Sequence, residues 1–208
     1  RSHEKITAAA KTITDEGFDA IGMAADVRDF DSVEQSMKQA QERLGNFDIV
    51  ISGAAGNFVA PALGMSSKGF KTVVAIDLIG TFNVLRAPFQ YLNRPGASLI
   101  SITEPQAVNP GVFQSHVCAA KAGLNMLTKC LALEWGPAGL RVNAISPVPT
   151  SHTDRMSPPA PPAALEQPIT SRTHLRPHAV QTDISHPPPP PPPHDTPAHH
   201  PNLLRCHA

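Results

Sequence analysis

Two charged residues stand where charge is costly. Lys121 is the one charged side chain in Val117-Cys118-Ala119-Ala120-Lys121-Ala122-Gly123, and Asp77 is the one in Val73-Val74-Ala75-Ile76-Asp77-Leu78-Ile79-Gly80. An unpaired ammonium or carboxylate on the apolar side of a helix loses hydration, so each needs a partner or a route to solvent. Lys121 could snorkel outward. If the two helices are neighbours, the carboxylate and the ammonium could instead pair and hold a water between them. A third feature is the apolar run Asp48–Ser52, which leads into Gly53-Ala54-Ala55-Gly56-Asn57-Phe58. Side chains this small let backbone approach a flat ligand closely, and they equally suit a tight strand-to-helix turn.

The elements that must position these residues alternate in type. Ser2 is placed to cap a helix carrying Ile6, Ala9, Ala10 and Ile13, with Gly17 as its stop. Phe18–Ala25 reads as a short buried strand. Asp31 is expected to cap the next helix, with Glu34 at the capping-box position; Val33, Met37, Ala40 and Leu44 share one face, and Gly45 ends it. Asp48–Ser52 is the kind of continuous apolar strand that a parallel sheet covers on both faces. A long helix is predicted from about Ser67 to Tyr91, kinked or ended early by Pro88. Ser98–Thr103 is strand, Ser115–Trp135 is helix closed by Gly136, and Leu140–Ile145 is strand. Strands separated by helices imply right-handed crossovers and a doubly wound α/β sheet, which binds ligands at the carboxyl ends of its strands.

Composition divides the chain in two. Of 208 residues, 41% are hydrophobic, and seventeen basic side chains balance seventeen acidic ones. A near-zero net charge gives no field for a nucleic acid backbone, so nucleic acid is not an expected partner. No continuous apolar run spans a membrane, and three cysteines (Cys118, Cys130, Cys206) make neither a disulfide framework nor a four-thiolate zinc site. All thirteen glycines and all ten aromatics precede residue 150, whereas fifteen of the twenty-three prolines follow it. Residues 151–208 hold seven Leu, Ile, Val or Phe in 58 positions, about 12%, too few to build a core. Residues 1–150 are therefore expected to fold and 151–208 to form a disordered Pro/His-rich tail. Within it, Pro187–Pro193 can only be polyproline II. An interaction protein that docks this run in SH3- or WW-type grooves is the rival reading, although His186 and His194 are not the basic or aromatic flanks such grooves select. Metal binding by His194, His199 and His200 lacks an ordered scaffold, and no metal site is expected.

Residues 1 to about 149 resemble the short-chain dehydrogenases/reductases. The resemblance rests on Asp26-Val27, on Ser52-Gly53-Ala54-Ala55-Gly56 for the family's Asn-Asn-Ala-Gly turn, and on Ile76-Asp77-Leu78-Ile79-Gly80 for its asparagine motif. It continues through the Lys121 helix and Ala132-Leu133-Glu134-Trp135-Gly136-Pro137 to Arg141-Val142-Asn143-Ala144-Ile145-Ser146-Pro147. The family's tyrosine, one helical turn before the lysine, is here Val117; its serine is Glu104, and its asparagine is Asp77. An Asp in place of the asparagine and a missing tyrosine look like the 2,4-dienoyl-CoA reductase branch, the peroxisomal type in particular.

That resemblance implies an oxidoreductase in which NADPH reduces a dienoyl-CoA of fatty-acid β-oxidation. It implies that Asp77 and Lys121 are catalytic and position a water in place of the tyrosine. NADP(H) would contact Arg1, Asp26, Val27, Gly53, Ala54, Ala55, Gly56, Lys121 and Pro147. An acyl-CoA would be the small-molecule partner, and a second copy could pair through the 67–91 and 115–135 helices. The family's first strand with its Gly-rich pyrophosphate turn is not found in the 208 residues, nor is its last strand. The expectation is a Rossmann-like sheet truncated at both ends and inactive as it stands. No Ser-Lys-Leu-type ending occurs, so a cytoplasmic location is expected.

Overall fold

The computed structural model of the chain describes residues 2–147 and 203–205. Arg1 and most of the 151–208 segment, Pro187–Pro193 and the tail histidines included, lie outside the described residues.

Local chemistry places most elements where the sequence puts them. Helix α1 (His3–Asp15) starts at Ser2, whose hydroxyl accepts from the Lys5 N–H. Helix α2 (Phe30–Leu44) ends at Gly45, whose φ of 88° favours a residue without a Cβ. Its cap is Asp29 and not Asp31. Asp29 has an extended backbone and accepts from the N–H groups of Asp31 and Ser32, so the helix starts earlier than the capping-box reading placed it.

Strand β1 (Ile49–Ser52) is followed by helix α3 (Ser67–Val74), a π-helical turn at Ala75–Ile79 and helix α4 (Gly80–Arg86). A 3-10 turn, Phe89–Tyr91, follows Pro88, which ends the helix as its missing N–H requires. By length and composition alone Ser67–Tyr91 could cross a membrane. Here its apolar residues Val84 and Leu85 belong to the protein's own core. Strand β2 (Ser98–Ile102), helix α5 (Ser115–Trp135) and strand β3 (Arg141–Ser146) complete the alternation. Between α5 and β3, Gly139 has a φ of 76°, and a Cβ there would stand 2.5 Å from that of Pro95. Only glycine suits that turn.

The sheet runs β1-β2-β3-β4, every pair parallel, with Val50 opposite Leu99 and Leu99 opposite Val142. This is the α/β, Rossmann-like arrangement expected. Strand β4 (Leu203–Arg205) pairs with β3, so three residues of a segment read as structureless add a strand at the sheet edge. Phe18–Ala25, by contrast, is not a strand. No described strand lies beside it, and an extended segment becomes a strand only when a neighbour takes its N–H and C=O groups.

One core joins α2, α4 and α5 to one face of the sheet through Val33, Leu85, Val50, Leu99, Leu131 and Val142. On the other face Ile49 and Ile51 are 60% and 59% exposed. The coverage of both faces that the apolar β1 sequence predicts is thus realised on one face only among the described residues. What the fold achieves for the site is an alignment. The parallel strands β1, β2 and β3 deliver residues 53, 103 and 147 to the same end of the sheet.

Candidate active site

At that end the two misplaced charges meet. Asp77 is 1% exposed and Lys121 is 2% exposed, and Lys121 Nζ lies 3.5 Å from Asp77 Oδ2. The lysine does not snorkel. Its ammonium donates to the carbonyl of Ile102, the last residue of β2, at 3.0 Å. Asp77 Oδ1 accepts the Gly56 N–H at 2.7 Å, which ties the carboxyl group to the small-residue turn after β1. One carboxyl oxygen is thereby fixed by backbone. The other faces the ammonium at ion-pair distance and accepts no hydrogen bond from the described residues.

Asp77 sits in the middle of the π-helical turn. Such turns are frequent at functional sites because the extra residue redirects one side chain without breaking the helix. The Thr81 hydroxyl donates to the Asp77 carbonyl at 2.7 Å and accepts from the Ser52 hydroxyl at 3.1 Å. The widened turn is thus pinned to the carboxyl end of β1. Gly56 packs closely beneath it: a Cβ at that position would meet the Ile76 side chain at 3.0 Å.

Burial pushes the Asp77 carboxyl above the usual carboxylate range, because a desolvated negative charge is disfavoured. The Gly56 N–H and the Lys121 ammonium act in the opposite sense, and the negative charge of Glu104 adds to the upward push. The net direction is upward, so a proton is held on Asp77 at higher pH than on an exposed aspartate.

The structure brings together Asp77, Lys121 and the Gly53, Ala54, Ala55, Gly56 turn, while Pro147 follows β3 at the same end. Val117, at 1% exposure, packs in the interior and contributes no polar atom. Asp26 stands apart. Its carboxylate is occupied by the Arg28 side chain and backbone N–H, which hold its titration well below the usual carboxylate range. Val27 is held where its carbonyl accepts from Asn83 at 2.8 Å, and its side chain covers Gly80. Arg1 lies outside the described residues.

Sequence reasoning missed two polar groups here. His116 and Thr103 are both fully buried, and neither the His116 ring nitrogens nor the Thr103 hydroxyl has a hydrogen-bond partner among the described residues. His116 stacks on Phe58 with ring centroids 4.3 Å apart. The available signal was a polar residue at the start of the apolar face of α5. No group of three or more His, Cys, Asp and Glu is placed to hold a metal ion among the described residues.

Comparison with known proteins agrees with this architecture. A family model described as short chain dehydrogenase matches residues 1–161. The peroxisomal 2,4-dienoyl-CoA reductase SPS19 of Saccharomyces cerevisiae is 40% identical over 158 residues, which is 74% of this chain and 54% of that protein. The peroxisomal 2,4-dienoyl-CoA reductase of Mus musculus is 40% identical over 156 residues, 74% of this chain and 53% of that protein. The chain thus spans about half the length of the curated relatives it matches. A solved structure of a dehydrogenase/reductase from Sinorhizobium meliloti 1021 superposes with a TM-score of 0.80 at 30% identity, covering 89% of this chain and 72% of the other. A gluconate 5-dehydrogenase from Burkholderia cenocepacia J2315, solved in complex with NADP and tartrate, shares the fold with a TM-score of 0.81 at 23% identity, covering 88% of this chain and 72% of the other.

Proposed function

Because the chain belongs to the short-chain dehydrogenase family, a family of oxidoreductases, we propose that its Asp77–Lys121 site serves the NADPH-dependent reduction of a 2,4-dienoyl-CoA thioester. The observation that carries this reading is the buried pair at the carboxyl end of the sheet, together with Val117 at the position of the family's tyrosine. A ketone reductase would need an acidic hydroxyl there. The names of the relatives in yeast and mouse point to the same substrate class.

The residues present fit a nicotinamide cofactor at one place. Gly53, Ala54, Ala55 and Gly56 offer nothing larger than a methyl group after β1, with Gly53 and Ala55 exposed and the Lys121 ammonium beneath. This turn, Lys121 and Pro147 would hold it, and Asp26 would join them on releasing Arg28. The cofactor when bound supplies a hydride. The chain's own part is the proton. Lys121 is steadied by the Ile102 carbonyl, and Asp77 Oδ2 is left turned toward it. Between them they can hold a water and deliver a proton to the substrate carbon nearest the thioester.

The test is NADPH consumption on addition of a 2,4-dienoyl-CoA, using the 208-residue chain and the same chain joined to the Gly-rich βαβ unit of a relative. The joined protein is expected to consume NADPH. The 208-residue chain is expected to be inert, because its sequence holds no Gly-rich turn for the pyrophosphate, and each charge-assisted hydrogen bond so lost is worth roughly 1.5–3 kcal/mol. A joined protein that binds NADPH but leaves the dienoyl-CoA intact would overturn the substrate assignment.

Pairing of two copies belongs to the same reading. Phe70, Ile79 and Phe82 on one helical run and Met126 and Leu133 on α5 are exposed apolar side chains, between 37% and 66%. Covering them between copies removes apolar surface from water. Sedimentation at micromolar concentration is expected to give a species larger than the monomer, and Leu133→Glu is expected to return it to a monomer.

A further inference from the structure

His116 lies fully buried in the first turn of α5, at the carboxyl end of the sheet. An imidazole carries at least one N–H donor in either protonation state. Neither ring nitrogen meets a partner among the described residues. Buried polar groups are nearly always hydrogen-bonded, so an exception calls for a reason, a catalytic role among them.

Three contacts fix the ring. One face lies against Phe58, with centroids 4.3 Å apart and planes 41° from parallel. Phe58 is backed in turn by α3 at Gly69, where a Cβ would stand 3.0 Å from the phenyl Cζ. The chain just before α5 is tied to the chain just after Phe58, because the Ala60 N–H donates to the Phe113 carbonyl at 3.1 Å. Phe113 makes this tie at a φ of 62°, a left-handed conformation that bulky side chains rarely adopt. His116 is thereby joined to the turn after β1, whose Gly56 N–H holds Asp77. Along α5 it stands next to Val117 and five residues before Lys121, about 7.5 Å of helix rise. The stack with Phe58 occupies a face of the imidazole and leaves its edge, which carries both nitrogens, uncommitted.

We propose that His116 is a catalytic residue that donates a hydrogen bond to the thioester carbonyl oxygen of the substrate. The inference rests on the dienoyl-CoA reading and adds a group which that chemistry needs. As the diene accepts a hydride at the end far from the thioester, an electron pair is displaced along the conjugated carbons to the carbonyl oxygen. The oxygen becomes an enolate oxygen. The carbon nearest the thioester then takes the proton delivered from Asp77 and Lys121, the carbonyl re-forms, and the pair recovers its proton from solvent. Lys121 is engaged by the Ile102 carbonyl and by Asp77, and Val117 has no proton to give. The His116 N–H stays on its ring throughout. Its hydrogen bond strengthens as the oxygen gains charge, so it favours the transition state over the bound substrate.

The test reads the substrate itself. A 2,4-dienoyl-CoA is titrated without NADPH into the 208-residue chain and into the joined protein, with calorimetry reporting the bound fraction. Polarising the carbonyl of a conjugated thioester moves its absorption to longer wavelength, and the bound ligand is expected to show that shift. His116→Phe keeps a ring against Phe58 but has no donor; it is expected to bind the ligand and lose the shift. His116→Gln, which keeps an N–H, is expected to retain most of it. With NADPH, His116→Phe in the joined protein is expected to lower kcat by about 10²–10³-fold, with a much smaller change in KM. His116→Met is the second donor-free variant, and circular dichroism identifies which variants are folded. A parent that binds the ligand without a shift overturns the inference and leaves the substrate assignment standing. So does a shift that survives in a folded donor-free variant. Absence of binding by both the 208-residue chain and the joined protein overturns the substrate assignment and this inference with it. Loss of fold in both donor-free variants, with His116→Gln stable, would assign His116 a structural role and equally overturn the inference.

Discussion

Replacing Lys121 by methionine is expected to lower stability at neutral pH by about 3–5 kcal/mol, the cost typical of breaking a buried ion pair by removing one partner. Methionine fills nearly the same volume, so the loss is electrostatic and not a cavity effect. Lys121 is 2% exposed, and the carboxyl group left behind is 1% exposed, so water cannot take the lysine's place without opening the site. The pH dependence has a definite sign. The Asp77 carboxyl is raised in the folded protein, so between the ordinary carboxylate range and its folded value the native state binds more protons than the unfolded state. Stability contributed by that proton is present at low pH and lost as pH rises through the window. Without Lys121 the upward push is larger and the window extends further up. The deficit of Lys121→Met is therefore expected to be smallest in acid, where Asp77 is protonated in both states, and to grow toward neutrality. Urea unfolding followed by circular dichroism at acid and neutral pH measures it. A deficit that does not change with pH would mean that packing alone is at stake.

Asp77→Asn is expected to reduce dienoyl-CoA turnover by about 10²–10⁴-fold, the range for loss of a positioned acid or base, with little change in KM. Asparagine is nearly isosteric. Its side-chain oxygen can still accept the Gly56 N–H, so the turn after β1 and the π-helical segment keep their places. What disappears is a proton that can be given up and regained. The measurement is steady-state NADPH oxidation by the chain joined to a Gly-rich βαβ unit, for the parent and the variant. Retained turnover in a well-folded Asp77→Asn variant would remove Asp77 from the chemistry and leave it a structural partner of Lys121.

Much of this molecule is written in short stretches of sequence. The Ser2 hydroxyl, Gly45 and Pro88 mark helix ends through bonds made or denied within one turn, and the structure places those ends there. The Ser115–Trp135 helix and the strands β1, β2 and β3 follow from apolar patterning that any half-buried element needs. Asp77 and Lys121 are visible for the same reason, as single charges in apolar helices.

Other features depend on what lies far away along the chain. Phe18–Ala25 has the composition of a strand, yet no described strand pairs with it, and β4 exists only because β3 offers its edge. The π-helical turn at Ala75–Ile79 depends on Ser52 and Gly56, which belong to the end of β1 and the turn beyond it. Sequence alone shows that Asp77 and Lys121 need partners. It does not show that they are each other's, or that Ile102 and Gly56 hold them. Caps and periodicity are energies of neighbouring residues, settled within a turn or two of chain. A ladder and a buried ion pair are energies between segments that only the folded sheet brings within a few ångströms of one another.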